Sequence, residues 1–197
     1  MSQRLAKLLP HSFLAVWGML LSVVVASLMI GHWVSLPHPQ AGQRLPSATQ
    51  VSRAGEQDVQ CAAFHFLYGD CPCSRRVLKK VIARQPVPGA CETIVFIGED
   101  AEFEAKAAEC GFRVETLARE ELKAKYGIES APLLVVTDGQ GIIQYSGGYT
   151  SRKQGLDIQD EELIRAVLAG NPREGLPLYG CAVSKELKSI VDPLDLK

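Results

Sequence analysis

Tryptophan is confined to the start of this 197-residue chain, at Trp17 and Trp33. Methionine stops at Met29, and no histidine follows His65. Cysteine is therefore the main soft donor in the rest of the chain. The formal charge is −1, with no basic block and no interleaving of basic with aromatic residues, which excludes nucleic acid as a partner. There is no glycine-rich phosphate loop and no Cys-x-x-Cys-His haem attachment. No bound cofactor is called for.

One absence is positional. Between Lys7 and Arg44 there is no Asp, Glu, Lys or Arg, and Phe13 to Val34 is nearly all apolar. As a helix that stretch is about 33 Å long, enough for a hydrocarbon core of about 30 Å. Arg4 and Lys7 precede it, and no basic residue follows closely. The positive-inside rule then makes 1–11 a cytoplasmic N-terminus and 12–34 a single-pass transmembrane signal anchor in the inner (cytoplasmic) membrane. The rest lies in the periplasm or outside. A cleavable signal peptide is the competing reading. Its apolar region is usually shorter and ends in a small-x-small site, and Met29-Ile30-Gly31-His32-Trp33 is a poor cleavage context. Either way the domain faces an oxidising space, which gives its six cysteines a meaning they lack in the cytosol.

Residues 35–58 are rich in Pro, Gln, Ala, Ser and Gly without apolar periodicity, and read as a flexible linker. From Val59 the pattern alternates. Strands are predicted at 59–67, 93–97, 112–117, 131–137 and 142–145, the last two joined by the hairpin turn Asp138-Gly139-Gln140-Gly141. Helices are predicted at 72–84, 101–110, 119–126 and 158–169, the last ended by Gly170 and Pro172. This order describes an α/β domain over 59–172, with a mixed sheet between two helical layers. A tail of weak pattern, 173–197, follows.

The chemistry concentrates at Cys71-Pro72-Cys73-Ser74, where a hydrophobic strand turns into a helix. A thiol at a helix start faces unpaired backbone N–H groups and the positive end of the macrodipole. Both favour the thiolate, which attacks disulfides and binds soft metals. Arg75 and Arg76 are expected to push the same way. Cys73, two residues on, is expected to point away from Cys71 on the helix.

These residues resemble the thioredoxin superfamily over about Val59 to Leu168. The strand–turn–Cys-Pro–helix element at 61–82 is similar to the family's redox element. Ala131-Pro132, opening an apolar strand, is similar to its cis-proline position, and the hairpin ending in Gly147-Gly148 to its last two strands. More narrowly, Cys71-Pro72-Cys73-Ser74, Gly147-Gly148 and Gly180-Cys181 resemble the RedB-type subset. The resemblance implies a thioredoxin-like three-layer α/β/α sandwich, preceded here by the N-terminal transmembrane helix. It implies a nucleophilic Cys71 and a cis Pro132 that shapes the groove for a substrate backbone. Ser74 falls on the family's second cysteine, and His65 on its buried acid, where it would take or return a proton.

The implied activity is a membrane-anchored thiol:disulfide oxidoreductase. It would act on protein thiols or disulfides and need a redox-recycling partner. Cys73, or alternatively Cys181, would resolve the mixed disulfide. Cys181 has a second reading, as a structural staple of the tail to Cys61 or Cys91. Cys110 reads as a small buried hydrophobe, and His65 as a satisfied core residue if it moves no proton. Two other functions stay open: a Cu(I) metallochaperone using Cys71, Cys73 and His65, and a catalytically silent binding module.

Overall fold

The computed structural model describes residues 12–26, 35–47, 60–153 and 155–191. The chain divides into two compact units, Met1–Val34 and Ser35–Lys197. In the first, 12–26 is helical and exposes Phe13, Leu14, Trp17 and Met19. Among the described residues no helix is long and apolar enough to cross a membrane. The expected anchor runs on over 27–34, and it and the 1–11 segment extend outside the described residues.

In the second unit, β1 (Cys61–Tyr68), β2 (Ala90–Ile97), β3 (Arg113–Leu117), β5 (Leu133–Asp138) and β6 (Ile143–Gly147) form one sheet in the order β3-β2-β1-β5-β6. β1, β2 and β3 are parallel, and β5 and β6 are antiparallel additions. The two short strands β4 (Ser130–Ala131) and β7 (Cys181–Ala182) pair separately. The helices are α1 (Pro72–Val81), α2 (Ala101–Glu109), α3 (Arg119–Tyr126), α4 (Asp160–Leu168) and α5 (Lys185–Val191).

β1 is buried along its whole length because both of its faces are covered. Phe64, Phe66 and Tyr68 pack with Leu122 and Tyr126 of α3 and Leu187 of α5. Ala63 and Leu67 face the other way, onto Val77, Leu78 and Val81 of α1 and Leu163 and Ile164 of α4. This is the mixed sheet between helical layers that the strand and helix pattern predicts. The predicted 131–137 strand is split in two, because Pro132 has no N–H for a ladder.

Two segments depart from the sequence reading. The first part of the expected linker, 35–47, lies on the domain. Leu36 and Leu45 are buried, Leu36 N–H donates to the Leu178 carbonyl (2.9 Å), and Leu45 N–H donates to the Gly141 carbonyl (3.0 Å). Two isolated leucines among prolines and polar residues have no period to reveal them, yet each contributes about 1.5–3 kcal/mol when buried. Residues 48–58 lie outside the described residues. The tail is also integral, with Leu178, Val183 and Leu187 buried. Gly147 and Gly148 admit it: a Cβ on Gly147 would lie 2.6 Å from the Leu176 oxygen, and one on Gly148 2.3 Å from the Pro177 oxygen.

Candidate functional site

The site is assembled where β1 ends. After Tyr68 the chain turns through Gly69 and Asp70, and Cys71 N–H donates back to the Tyr68 carbonyl at 3.0 Å. Tyr68 hydroxyl donates to Asp70 (2.9 Å), bracing the turn. Cys71 is the N-cap of α1, with extended backbone (φ −92°, ψ 118°), and Pro72 is the first helical residue. Proline suits that position because its missing N–H would be unpaired there anyway.

The extended backbone at Cys71 corrects one expectation. A two-residue separation puts side chains on different helix faces only when both residues are helical. Cys71 is not, and the two thiols act on one another: Cys73 lowers Cys71 and is itself raised by it. Cys181, 110 residues further along, also meets it: its Sγ lies 2.7 Å from Cys71 Sγ, as donor. That separation exceeds the covalent length of about 2.05 Å, and none of the six cysteines is in a disulfide. Cys71 itself is fully buried, while Cys73 and Cys181 are partly exposed.

The hydrogen bond from Cys181, then that from Cys73, holds the Cys71 thiol well below its ordinary value. Burial opposes them, and the Ser74 amide and hydroxyl add to the pull. The Ser74 contribution is an attraction at longer range: no side-chain cap bond closes at Cys71, and the buried Ser74 hydroxyl has no formed hydrogen bond. Cys73, as donor to a thiolate, is raised by that bond, by burial and by the negative charge beside it. Arg75 is engaged with the turn before the thiol. Its Nε donates to the Gly69 carbonyl at 2.7 Å, and Arg76 and Lys153 bear on Cys73.

The Ala131–Pro132 peptide is cis, as the resemblance implies. It follows β4, whose Ala131 is paired with Cys181 of β7. Pro132 therefore borders the sulfur cluster, and the tail strand runs beside it. Cys181 meets Cys71 just past the C-terminal end of β1, whereas Cys61 and Cys91 stand at the opposite end of the sheet, at the starts of β1 and β2, so neither is its staple partner. Those two lie on neighbouring strands with side chains on opposite faces of the sheet. Burial, with Glu92 and Cys91 nearby, pushes Cys61 up to about 12, the condition of an inert thiol. Cys110 is half-buried and donates to the Ile82 carbonyl at 3.3 Å.

His65 is elsewhere. It projects from β1 with Cys61, Ala63 and Leu67, on the sheet face opposite Cys71. Its Nε2 donates to Glu92 Oε2 (2.9 Å), and the Tyr149 hydroxyl lies 3.0 Å from Nδ1. Arg84 bridges Glu92 and Asp160, closing a buried network. Burial works against the Glu92 charge, but the His65 and Arg84 bonds outweigh it and lower the carboxyl to about 2. The strand's period of two is the reason for the separation. Matching a family position in sequence did not bring this imidazole to the thiol. The Cys71, Cys73, His65 ligand set is likewise not assembled, and among the described residues no group of three His, Cys, Asp or Glu is placed to hold a metal ion.

The central parallel strands with antiparallel additions, the thiol at the N-cap of α1 and the cis proline beside it define a thioredoxin-like fold. No family model and no curated protein matches the sequence. Solved structures do. A hypothetical protein from Sinorhizobium meliloti is 19% identical, covering 75% of this chain and 95% of its own, with a TM-score of 0.55. An uncharacterised conserved protein from Geobacillus kaustophilus is 20% identical, covering 77% and 95%, with a TM-score of 0.53. A thioredoxin-like protein in its oxidised form is 16% identical, covering 66% and 97%, with a TM-score of 0.46. At these identities the likeness to the first two is one of fold.

Proposed function

We propose that this chain is a thiol:disulfide oxidoreductase acting on protein thiols or disulfides, with Cys71 as the nucleophile. The observation that carries the reading is the Cys71 sulfur at the start of α1 with the Cys181 sulfur 2.7 Å from it. The Cys71 thiolate attacks one sulfur of a substrate disulfide. That S–S bond breaks, and the second substrate sulfur leaves as a thiolate. Cys181 then loses its proton and attacks Cys71, forming a Cys71–Cys181 disulfide and releasing the first substrate sulfur. Two electrons have passed to the substrate, whose two sulfurs take one proton from Cys181 and one from solvent. An external dithiol restores the protein, and the same steps in reverse oxidise a substrate.

Cys181 takes the resolving role in this reading, ahead of Cys73, because its sulfur is aligned on Cys71 at 2.7 Å. Ser74 stabilises the thiolate, and Pro132 borders the substrate backbone. The Gly180-Cys181 pair is also the part of the RedB-type resemblance that this reading uses. Membrane anchoring through 12–34, with the domain in the periplasm, belongs to the same proposal. Its support is the uncharged stretch between Lys7 and Arg44 and the apolar side chains exposed by the 12–26 helix.

The test is reduction of insulin by the full chain with an external dithiol, alongside Cys71→Ala. Turnover that is lost in Cys71→Ala is the expected result. No turnover by the native chain, together with an ordinary thiol pKa at Cys71, leaves a silent binding module instead.

A further inference from the structure

A nucleophile that must reach a protein disulfide is here fully buried. Its cover is the chain's own tail. Cys181 Sγ stands on Cys71 Sγ, and the backbone that carries it is hydrogen-bonded to β4 through two residue pairs, Ser130 with Ala182 and Ala131 with Cys181. Any external sulfur reaching Cys71 from that side must bring its own backbone along the same edge, beside Pro132.

Gly180 shows how selective that edge is. A Cβ at this position would stand 2.0 Å from the Ala131 carbonyl oxygen and 2.7 Å from Pro132 Cδ. Both are parts of a rigid backbone unit that cannot swing aside as a flexible side chain does. In this register only glycine fits immediately before the cysteine. The segment is also built to leave. Residues 179–182 are partly or fully exposed and lie between the buried anchors Leu178 and Val183. Val183 N–H on the Glu129 carbonyl (2.7 Å) and Leu178 N–H on Ser35 Oγ (2.9 Å) hold those anchors while the strand between them lifts.

We propose that Tyr179–Ala182 is a resident surrogate of the substrate. An external substrate binds by replacing it along Ser130–Ala131, and the preferred substrate is an extended polypeptide with glycine immediately before its reactive cysteine. This rests on the oxidoreductase reading above. It adds order to that reaction: the surrogate lifts for the attack on substrate, and its return delivers Cys181 to the mixed disulfide.

The experiment uses full-length protein carrying Cys181→Ser and two peptides, Leu-Tyr-Gly-Cys-Ala-Val and Leu-Tyr-Ala-Cys-Ala-Val, each with its cysteine as an aryl disulfide. Attack by Cys71 forms the peptide–Cys71 disulfide and releases the arylthiolate, which is read by its absorbance. Peptide mapping confirms Cys71 as the site. The glycine peptide is expected to react at least about tenfold faster, the penalty of forcing a methyl into a packed contact. Equal rates overturn the proposal. A second measurement compares iodoacetamide alkylation of Cys71 in the native chain and in Gly180→Ala, with melting recorded for both. Faster alkylation in a folded Gly180→Ala is expected, and unchanged alkylation overturns the cover. Should Gly180→Ala not fold, the peptide pair decides alone. Failure of the oxidoreductase reading looks different: Cys71 keeps an ordinary pKa, and the native chain does not reduce insulin whichever peptide is faster.

Discussion

Cys181 Sγ lies 2.7 Å from Cys71 Sγ, with the Cys181 thiol as donor. A hydrogen bond to a charged group is worth about 1.5–3 kcal/mol, or about one to two pKa units. Cys181→Ala is therefore expected to raise the Cys71 pKa by that amount, read by iodoacetamide alkylation against pH. An unmoved profile would show that Cys181 does not stabilise the thiolate. The same variant separates resolver from staple. Accumulation of the substrate–Cys71 mixed disulfide with unchanged melting marks a resolver, and a lowered melting temperature with normal turnover marks a staple.

Cys73 also lowers the Cys71 thiol, after Cys181. In Cys73→Ala the Cys71 profile is expected to rise by less, about one unit or under. Insulin reduction should continue through Cys181. Loss of turnover in Cys73→Ala alone would return the resolving role to Cys73.

His65 is across the sheet from Cys71 and donates to the buried Glu92. His65→Leu is expected to leave the pH profile of Cys71 alkylation where it is. It should lower stability by about 1–3 kcal/mol, the cost of an unpaired buried acceptor. A shifted Cys71 profile at unchanged stability would restore the proton-transfer role.

The Glu92 carboxyl is lowered from 4.5 to about 2 in the folded protein. Burial alone would raise it, and the bonds from His65 and Arg84 prevail. A depressed acid contributes stability that is fully present above its unfolded value and is lost as pH falls through the folded value. The window here runs from about pH 4.5 down to about 2. Glu92→Gln should flatten the acid limb of the stability curve in that window. It should also cost about 3 kcal/mol at neutral pH, the low end for breaking a buried pair, because Asp160 still neutralises Arg84. An unchanged acid limb, measured by denaturant titration at several pH values, would show that the network does not carry this linkage.

Gly148 lies against the backbone of Pro177, where a Cβ would meet the carbonyl oxygen at 2.3 Å. Gly148→Ala is expected to destabilise by about 1–3 kcal/mol, as overpacking does. It should also speed Cys71 alkylation by loosening the tail that carries Cys181. A native melting temperature with native alkylation would mean that the tail is not held at this point.

Much of the site was legible locally. An N-cap thiol needs only a strand, a turn and a Pro72-led helix, all within Cys61–Val81, and Ala131-Pro132 marked the strand opening that faces it. The apolar runs of β1 and β2 likewise read as central strands because both faces of such strands are buried. α1 and α4 came out shorter than the 72–84 and 158–169 read from the sequence, since an apolar stripe does not show where capping stops a helix.

The rest depended on contacts between distant parts of the chain. The sequence by itself determined the thiol, its position at a helix start and the alternation of strand and helix. These follow from local backbone chemistry and from periodicity. Only the tertiary structure decided which cysteine meets Cys71, and that the tail covers it. It also decided that His65 pairs with Glu92 on the opposite face, and that Leu36 and Leu45 are buried. Strand parity, a two-pair β4–β7 ladder and glycines without a Cβ at close backbone approaches make those choices. None of the three leaves a periodic mark in the residues themselves.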